Sequence, residues 1–483
     1  MSRPANTPQN HSQTTSHITI DDNREHFVRQ DRYEVLEEEY FLEIDKNKYE
    51  IANYSSFGIA VYSSIEPDSF GDDHQCKFYL NDQLIDEMVL KKVRDEKLQE
   101  GNYKIAFEIV GGFLSTEKIR AVSLAQDLIK KQNLKNQELN NVPLNFRIKV
   151  FEIKNRLENL KNELEAFQTN ESFINKEQQG RFEDIVIDLV GDYLYEFFQN
   201  FYKETVTDVE TWDEKTLKEG MYFFRAQLFP LVQKSPFAYQ CYSKPRGYAG
   251  DYEMMNYLYY NDSLGDDLFA KVMHRYYMKH PNAQAVRNRV EYLSKKIFEV
   301  FKEKEGKPIR ILSVASGPAQ EIQTLFRNSP EFYNSNVEVH LIDQDVDSLK
   351  HAQRGIKELA RINKSNVTVK YFRKAIRNII RDGMEGYTYD LVYSSGLFDY
   401  FSDPVAQVAA NKLFDCLNEK GRLIIGNFTS KPYLDMSMHF LLDWYLLYRS
   451  EKDLEKLYSV VPGKLSIEAE PEGINLFVVV DKD

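Results

Sequence analysis

The sequence predicts a multidomain protein: a small N-terminal β-barrel, a central α-helical region and a C-terminal doubly wound α/β domain on a mostly parallel seven-stranded sheet. Three observations carry this. Between Arg32 and Leu124, short β-branched or alternating runs are separated by turn residues. From Thr116 onward, apolar residues recur at intervals of three and four. Beyond Ile309, strand-like and helix-like segments alternate. Composition accordingly divides the 483 residues into a tail (1–30), a barrel (31–117), a helical linker or bundle (118–234) and a final domain (235–483) whose sheet starts at about 308.

Whole-chain properties narrow the function. A formal net charge of −13 and a pI near 5.4 argue against a nonspecific electrostatic hold on DNA, RNA or anionic lipid. Cys76, Cys241 and Cys416 are far apart and form no C-x-x-C pair, so neither a disulfide framework nor a metal site is expected, which fits a reducing cytoplasm. Met1–His26 is polar, lacks the apolar stretch of a signal peptide and reads as a disordered tail. The most apolar later run, Phe440–Tyr448, is interrupted by Asp443 and is too short to span a bilayer. The sequence leaves a homodimer open.

The barrel strands are expected at Tyr40–Ile44, Tyr49–Asn53, Gly58–Tyr62, Gln75–Leu80, Gln83–Lys92 and Tyr103–Val110, with Asn-Lys, Ser-Ser, Asn-Asp and Gly-Asn as turn signals. Asn53-Tyr54-Ser55-Ser56-Phe57-Gly58 resembles the [DN]-x-S-x-x-G motif of PilZ domains. That resemblance implies cyclic di-GMP as a ligand, held by Asn53, Ser55 and Gly58 together with arginines ahead of the barrel, here Arg29 and Arg32. Those domains usually carry an R-x-x-x-R arm, a spacing that Arg24, Arg29 and Arg32 do not provide. The alternative is an ordinary turn in a small barrel.

Lys118–Lys135, Leu144–Gln168, Gln178–Lys203 and Trp212–Leu231 read as amphipathic helices with solvated Lys/Glu faces and no chemistry of their own. Ser235–Tyr260 differs from them. It places Pro245, Gly247 and Gly250 around Arg246, Tyr248 and Asp251 in a strongly aromatic setting. Arg246 suits a carboxylate, and Tyr248 or Tyr252 suits the neighbourhood of a cation. The competing reading is a helix–loop–helix corner with an Arg–Asp pair. The stretch resembles the K-P-R-G-Y-x-G-D-[YF]-E motif of extracellular-factor, 3-hydroxypalmitic acid methyl ester biosynthesis proteins, as does Asn427–Pro432 with Asp443-Trp444-Tyr445 of their later segment. That resemblance, from about Gln178 to the C terminus, implies methylation of a small-molecule acceptor, a hydroxy fatty acid.

Ile309–Val314 is a buried-strand pattern that turns through Ala315-Ser316-Gly317-Pro318-Ala319 into a helix, an arrangement that brings backbone amides close to a nucleotide-like ligand. Val337–Asp343 ends on an acid about 25 residues beyond that turn, where it can accept from ribose hydroxyls. Strands are expected next at Val367–Phe372, Tyr389–Ser395 and Gly421–Phe428, then as a hairpin at Leu465–Glu470 and Asn475–Val480. Helices are expected at Glu321–Asn328, Val346–Ile362, Lys374–Arg381 and Pro404–Asn418.

This C-terminal pattern resembles the Rossmann-like class I S-adenosylmethionine (SAM)-dependent methyltransferases. It departs from them at Ser313, where an acid is common, and at Ala315 and Ala319, where glycines are. An NAD-type dinucleotide fold is the competing reading. The resemblance implies SAM held by the backbone of Ala315, Ser316 and Gly317, by Asp343 on the ribose and by Gln344 beside the adenosine. Lys374 and Ala375 would lie near the adenine, and Ser394, Ser395 and Gly396 under the sulfonium, with Arg246, Tyr248 and Asp251 positioning the acceptor. Asp399, Tyr400, Asn427 and Tyr445 are substrate-side candidates. His274, His280, His340 and His439 are read as surface or core groups rather than bases. Taken together, the expectation is a cytoplasmic SAM-dependent O-methyltransferase regulated through a PilZ-like module. The alternative is an inactive nucleotide-sensing interaction protein.

Overall fold

The computed structural model describes residues 18–19, 40–55, 58–67, 70, 73–98, 102–134, 141–170, 175–384 and 386–483. Strands are numbered along the chain, beginning with the two-residue β1 (Ile18–Thr19). Two compact units result. One holds the barrel and the helices up to Val286, together with Ser430–Leu446; the other holds Arg287–Thr429 and Leu447–Asp483, with β1.

The barrel consists of β2 (Tyr40–Ile44), β3 (Asn47–Ser55), β4 (Gly58–Ser63), β5 (Asp73–Leu80), β6 (Gln83–Lys97) and β7 (Tyr103–Gly111). Pairing is antiparallel throughout and runs β2-β3-β4-β7-β6-β5, with β5 returning to β2, so that no edge is left open. The first reversal falls at Asp45-Lys46 rather than at the expected Asn-Lys. Both residues take positive φ (50° and 68°), as do Asn81 and Asp82 (47° and 64°), the geometry of two-residue turns that match strand twist. Alternation sends Leu42, Ile44, Phe78, Leu80, Leu90, Ile105 and Phe107 inward, and Leu114 and Ile119 join them from the chain after β7.

The helices of this unit ahead of Pro281 are Thr116–Leu134, Leu144–Asn170, Lys176–Val209, Glu214–Val232, Pro236–Ser243, Tyr252–Tyr260 and Leu268–Met278. The later segment Ser430–Leu446 completes their packing. Arg225 donates to Phe440 O (2.9 Å), to His439 O and to Asp443 Oδ1 (3.0 Å), and Lys244 Nζ donates to Asp443 Oδ2 (3.0 Å). One carboxylate thus offsets two cations in an apolar setting, and the two positive charges hold its pKa below the usual range against the effect of burial.

The second unit is built on β8 (Ile309–Val314), β9 (Val337–Asp343), β10 (Thr368–Arg373), β11 (Tyr389–Ser394), β12 (Leu417–Phe428), β13 (Lys464–Ala469) and β14 (Asn475–Asp481). Their order is β10-β9-β8-β11-β12-β14-β13, parallel through β12 and then antiparallel at the hairpin. This is the mostly parallel seven-stranded sheet expected, with the methyltransferase-type reversal of strand order between β8 and β11. One addition was not expected: β1 pairs in parallel with Tyr371 and Phe372, giving the edge an eighth, two-residue strand from within the stretch read as a disordered tail. The other residues of 1–30 lie outside those described. Central strands are buried on both faces. On one face Leu293, Ile297 and Val300 of helix Pro281–Glu303 meet Ile311, Leu341, Ile424 and Phe477; on the other, Ala406, Ala409 and Leu413 of helix Asp403–Asp415 meet Leu312, Val392 and Val478.

Candidate functional site

The expected cofactor residues fall at the C-terminal ends of four adjacent parallel strands: Ala315–Ala319 after β8, Asp343 and Gln344 at β9, Lys374 and Ala375 after β10, and Ser394–Gly396 at β11. The chain winds in opposite directions from β8 and β11, which opens a crevice between them where open α/β sheets take ligands. Sequence order had kept these segments far apart. Parallel register brings them to one edge.

The bend after β8 is tightly specified. Ala315, Gly317 and Ala319 have φ of 54°, 54° and 50°, so the backbone turns through left-handed conformations that cost alanine about 1 kcal/mol or more. Alanine does not forbid the bend, and the departures at Ala315 and Ala319 leave its shape in place. A Cβ added at Gly317 would meet nothing within 4 Å, so the backbone there borders open space. Ser316 N–H donates to Ile342 O (2.9 Å), tying the bend to β9.

Asp343 is turned toward this bend. Its Oδ2 accepts from Gly317 N–H at 2.8 Å and its Oδ1 from Asp345 N–H at 2.9 Å. The residue is 8% exposed, and burial pushes its carboxyl up to about 6 against the lowering effect of the backbone donors. A carboxylate has about four lone-pair directions, so acceptor capacity remains for two ribose hydroxyls. Around it, Ser316 Oγ, Ser394 Oγ and Gln320 Oε1 are buried without a hydrogen-bond partner among the described residues. Buried polar atoms rarely stay unpaired, and these therefore fit a polar ligand at this edge. The donor set, the open space at Gly317 and the acid suit an adenosyl group.

Neighbouring candidates have other commitments. Asp399 Oδ1 accepts from Phe428 N–H (2.6 Å), and Asn427 Nδ2 donates to Phe428 O and Leu447 O, so both fasten the end of β12 and the chain that rejoins this unit at Leu447. Arg449, which sequence reasoning passed over, completes that fastening through Asn427 Oδ1 (2.7 Å), Phe398 O (3.1 Å) and Asp403 (2.9 Å). Asp251 caps helix Tyr252–Tyr260 by accepting from Met254 N–H (2.8 Å) and takes a second bond from Gln240 (2.9 Å). Arg246 lies 3.7 Å from Glu253 and over the ring of Tyr252. With Tyr248, these residues belong to the barrel-and-helix unit. The histidines are core groups, and burial holds His274, His280 and His439 near 4, neutral at pH 7. In the barrel, Asn53 and Ser55 close β3 and Gly58 opens β4, with Ser55 Oγ donating to Gly58 O (3.3 Å). Arg29 and Arg32 lie outside the described residues.

No protein-family profile matches the chain, and no curated protein does. Among solved structures, a possible exported protein from Bordetella parapertussis is 16% identical, matching 60% of this chain and 96% of its own with a TM-score of 0.43. Magnesium protoporphyrin IX methyltransferase from Synechocystis, solved with bound SAM, is 11% identical over 42% of this chain and 83% of its own, TM-score 0.31. An S-adenosylmethionine-dependent methyltransferase from Clostridium acetobutylicum is 12% identical over 39% and 90%, TM-score 0.30. The likeness to the two methyltransferases is a distant one of fold, over the C-terminal part of the chain. The reading of the site rests on its own geometry.

Proposed function

We propose that this protein is a SAM-dependent methyltransferase acting on an oxygen nucleophile, the carboxylate of a small acid such as a hydroxy fatty acid, under control of a PilZ-like barrel that takes cyclic di-GMP. The observation that carries the reading is the Asp343 carboxylate bonded to Gly317 N–H at the mouth of the β8 bend. In this reading the backbone of Ala315, Ser316 and Gly317 cradles the cofactor, Asp343 accepts from its ribose, Gln344 borders the adenosine, and Lys374 and Ala375 border the adenine. Ser394, Ser395 and Gly396 lie beneath the reacting centre.

When bound, SAM supplies an electrophilic methyl group on a sulfonium. The protein's part is to hold an acceptor carboxylate in line with that methyl and to keep water away. Transfer of that methyl to a carboxylate would form an O–C bond as the C–S bond breaks and release a neutral thioether, so charge would be neutralised and an apolar, aromatic setting would favour the transition state over the solvated ions. A carboxylic acid is already ionised near pH 7, and no side chain need act as general base.

The deciding experiment is calorimetric titration with S-adenosylhomocysteine (SAH). Micromolar or tighter binding is expected, with a loss on the order of 100-fold in Asp343→Ala, which removes two hydrogen bonds to a charged acceptor. Equal affinity in the variant would remove the ribose assignment. A second reading, nucleotide sensing without catalysis, is favoured by the uncharged Ser313. Binding of SAH with no turnover on a panel of carboxylic acids would select it.

A further inference from the structure

The adenosyl reading accounts for one end of the cofactor only. SAM and SAH also carry an α-amino acid, a zwitterion that needs one negative and one positive partner in a site that excludes water. Ser313, next to the end of β8, offers neither charge. Its face of the sheet does.

Tyr393 is the register partner of Ser313, and its hydroxyl donates to Glu321 Oε1 at 2.7 Å. Glu321 stands in the first turn of helix Gln320–Asn328 and is 5% exposed. The helix therefore sets a carboxylate over the strand pair from which Ser313 provides none. Arg289, 6% exposed on helix Pro281–Glu303, donates from Nη1 to Ser395 O (3.2 Å), and a side chain at Gly396 would begin 3.2 Å from the same nitrogen. The two helices are tied together, since Ser294 Oγ donates to Glu321 O at 3.1 Å. Arg289 is close enough for its charge to favour the ionised forms of both Glu321 and Asp399. Burial outweighs that help and raises the pKa of each. A further cation near Glu321 would offset the remaining desolvation.

We propose that Glu321 and Arg289 receive the amino-acid end of the cofactor, Glu321 taking the ammonium and Arg289 the carboxylate. The assignment rests on the adenosyl reading above. The two charges flank the C-terminal ends of β8 and β11, between the bend and Gly396, where that end of the molecule continues from a ribose held at Asp343. The guanidinium is planar and forked, which matches a carboxylate, and a buried carboxylate already steadied by a tyrosine hydroxyl keeps its acceptor directions fixed for an ammonium.

The test is calorimetric titration of the full-length protein with SAH and with 5′-methylthioadenosine, which shares the adenosyl group and lacks the amino acid. Wild-type protein is expected to bind SAH on the order of 100-fold more tightly than methylthioadenosine. Glu321→Gln, which retains an acceptor for Tyr393, and Arg289→Met are each expected to weaken SAH about tenfold or more while leaving methylthioadenosine unchanged. Should Arg289→Met fail to fold, Glu321→Gln and Arg289→Lys carry the comparison. Equal wild-type affinity for the two nucleosides, or variants that lose both in proportion, would overturn the zwitterion site and leave the adenosyl site standing. Wild-type protein that binds neither overturns both.

Discussion

Asp343 is held by two opposing requirements. On the proposed reading its carboxylate accepts from ribose hydroxyls, most strongly when ionised, yet burial raises its pKa to about 6. A carboxyl whose pKa is higher folded than unfolded makes the fold more stable at low pH. That advantage is lost as pH rises from the unfolded value near 4 to the folded value, a change on the order of 3 kcal/mol for this one group. Asp399, also pushed up to about 6, acts in the same window and sense. Urea unfolding at pH 4.5 and 7.5 should therefore show a smaller pH effect in Asp343→Asn than in wild type. An identical pH effect in the two would mean that Asp343 is not buried in the free protein. SAH binding should weaken as pH falls below 6, with Glu321, also raised, contributing in the same direction. Gly317 allows a cleaner separation of binding from stability. Gly317→Ala should cost only about 1 to 2 kcal/mol, from its positive φ, because no protein atom lies within 4 Å of the new Cβ. The same change should cost SAH at least about tenfold by filling the cradle, and thermal unfolding beside calorimetry separates the two effects.

At the scale of elements, the sheet edge is held by a few polar anchors that sequence composition disguises as chemistry. Arg449 binds Phe398 O, Asn427 Oδ1 and Asp403, and it is 5% exposed. Arg449→Ala leaves buried acceptors unpaired and should destabilise by about 3 kcal/mol or more. Asp403→Ala, which touches only the exposed partner, should cost less than about 1 kcal/mol. Similar losses in the two variants, measured by urea unfolding, would show that the carbonyl and amide bonds of Arg449 contribute little. In the helical unit, Asp251→Ala removes the N-cap of Tyr252–Tyr260 and should cost about 1 to 2 kcal/mol, with Asp251→Asn close to wild type. The strand-turn-helix of the bend was legible because it is local: a buried run, small residues and an acid on the following strand. Arg289 was not legible. It falls in phase with Val286, Leu293 and Val300 on an amphipathic helix, and a single charge in an apolar stripe is its only signal.

At the scale of the whole molecule, chain order and compact units do not coincide. Ser430–Leu446 leaves the sheet after β12 and supplies Asp443 to Arg225 and Lys244 in the helical unit before the chain returns at Leu447. A fragment ending at Val286 would bury Arg225 without its acceptors. Its barrel should unfold cooperatively, because the barrel core draws only on residues up to Val122, while its helices should exchange amide hydrogens within the fast regime of local opening. Full protection of helix Glu214–Val232 in that fragment would refute this. The barrel, the amphipathic helices, the alternation of strands and helices in the sheet domain and the acid that closes β9 were legible in the sequence alone, since period-two and period-3.6 patterns and turn residues act over a few neighbours. Tertiary structure decided what depends on distant partners. It closed β2 onto β5 and added β1 to the far edge of the sheet. It gave Asp399 and Asn427 internal hydrogen-bond partners, and it tied the helix of Arg289, ahead of β8, to the helix of Glu321, behind it, through Ser294 Oγ and Glu321 O. Hydrogen bonds and charge pairs between residues far apart in the chain leave no periodic trace in the sequence, and only the packed sheet brings them together.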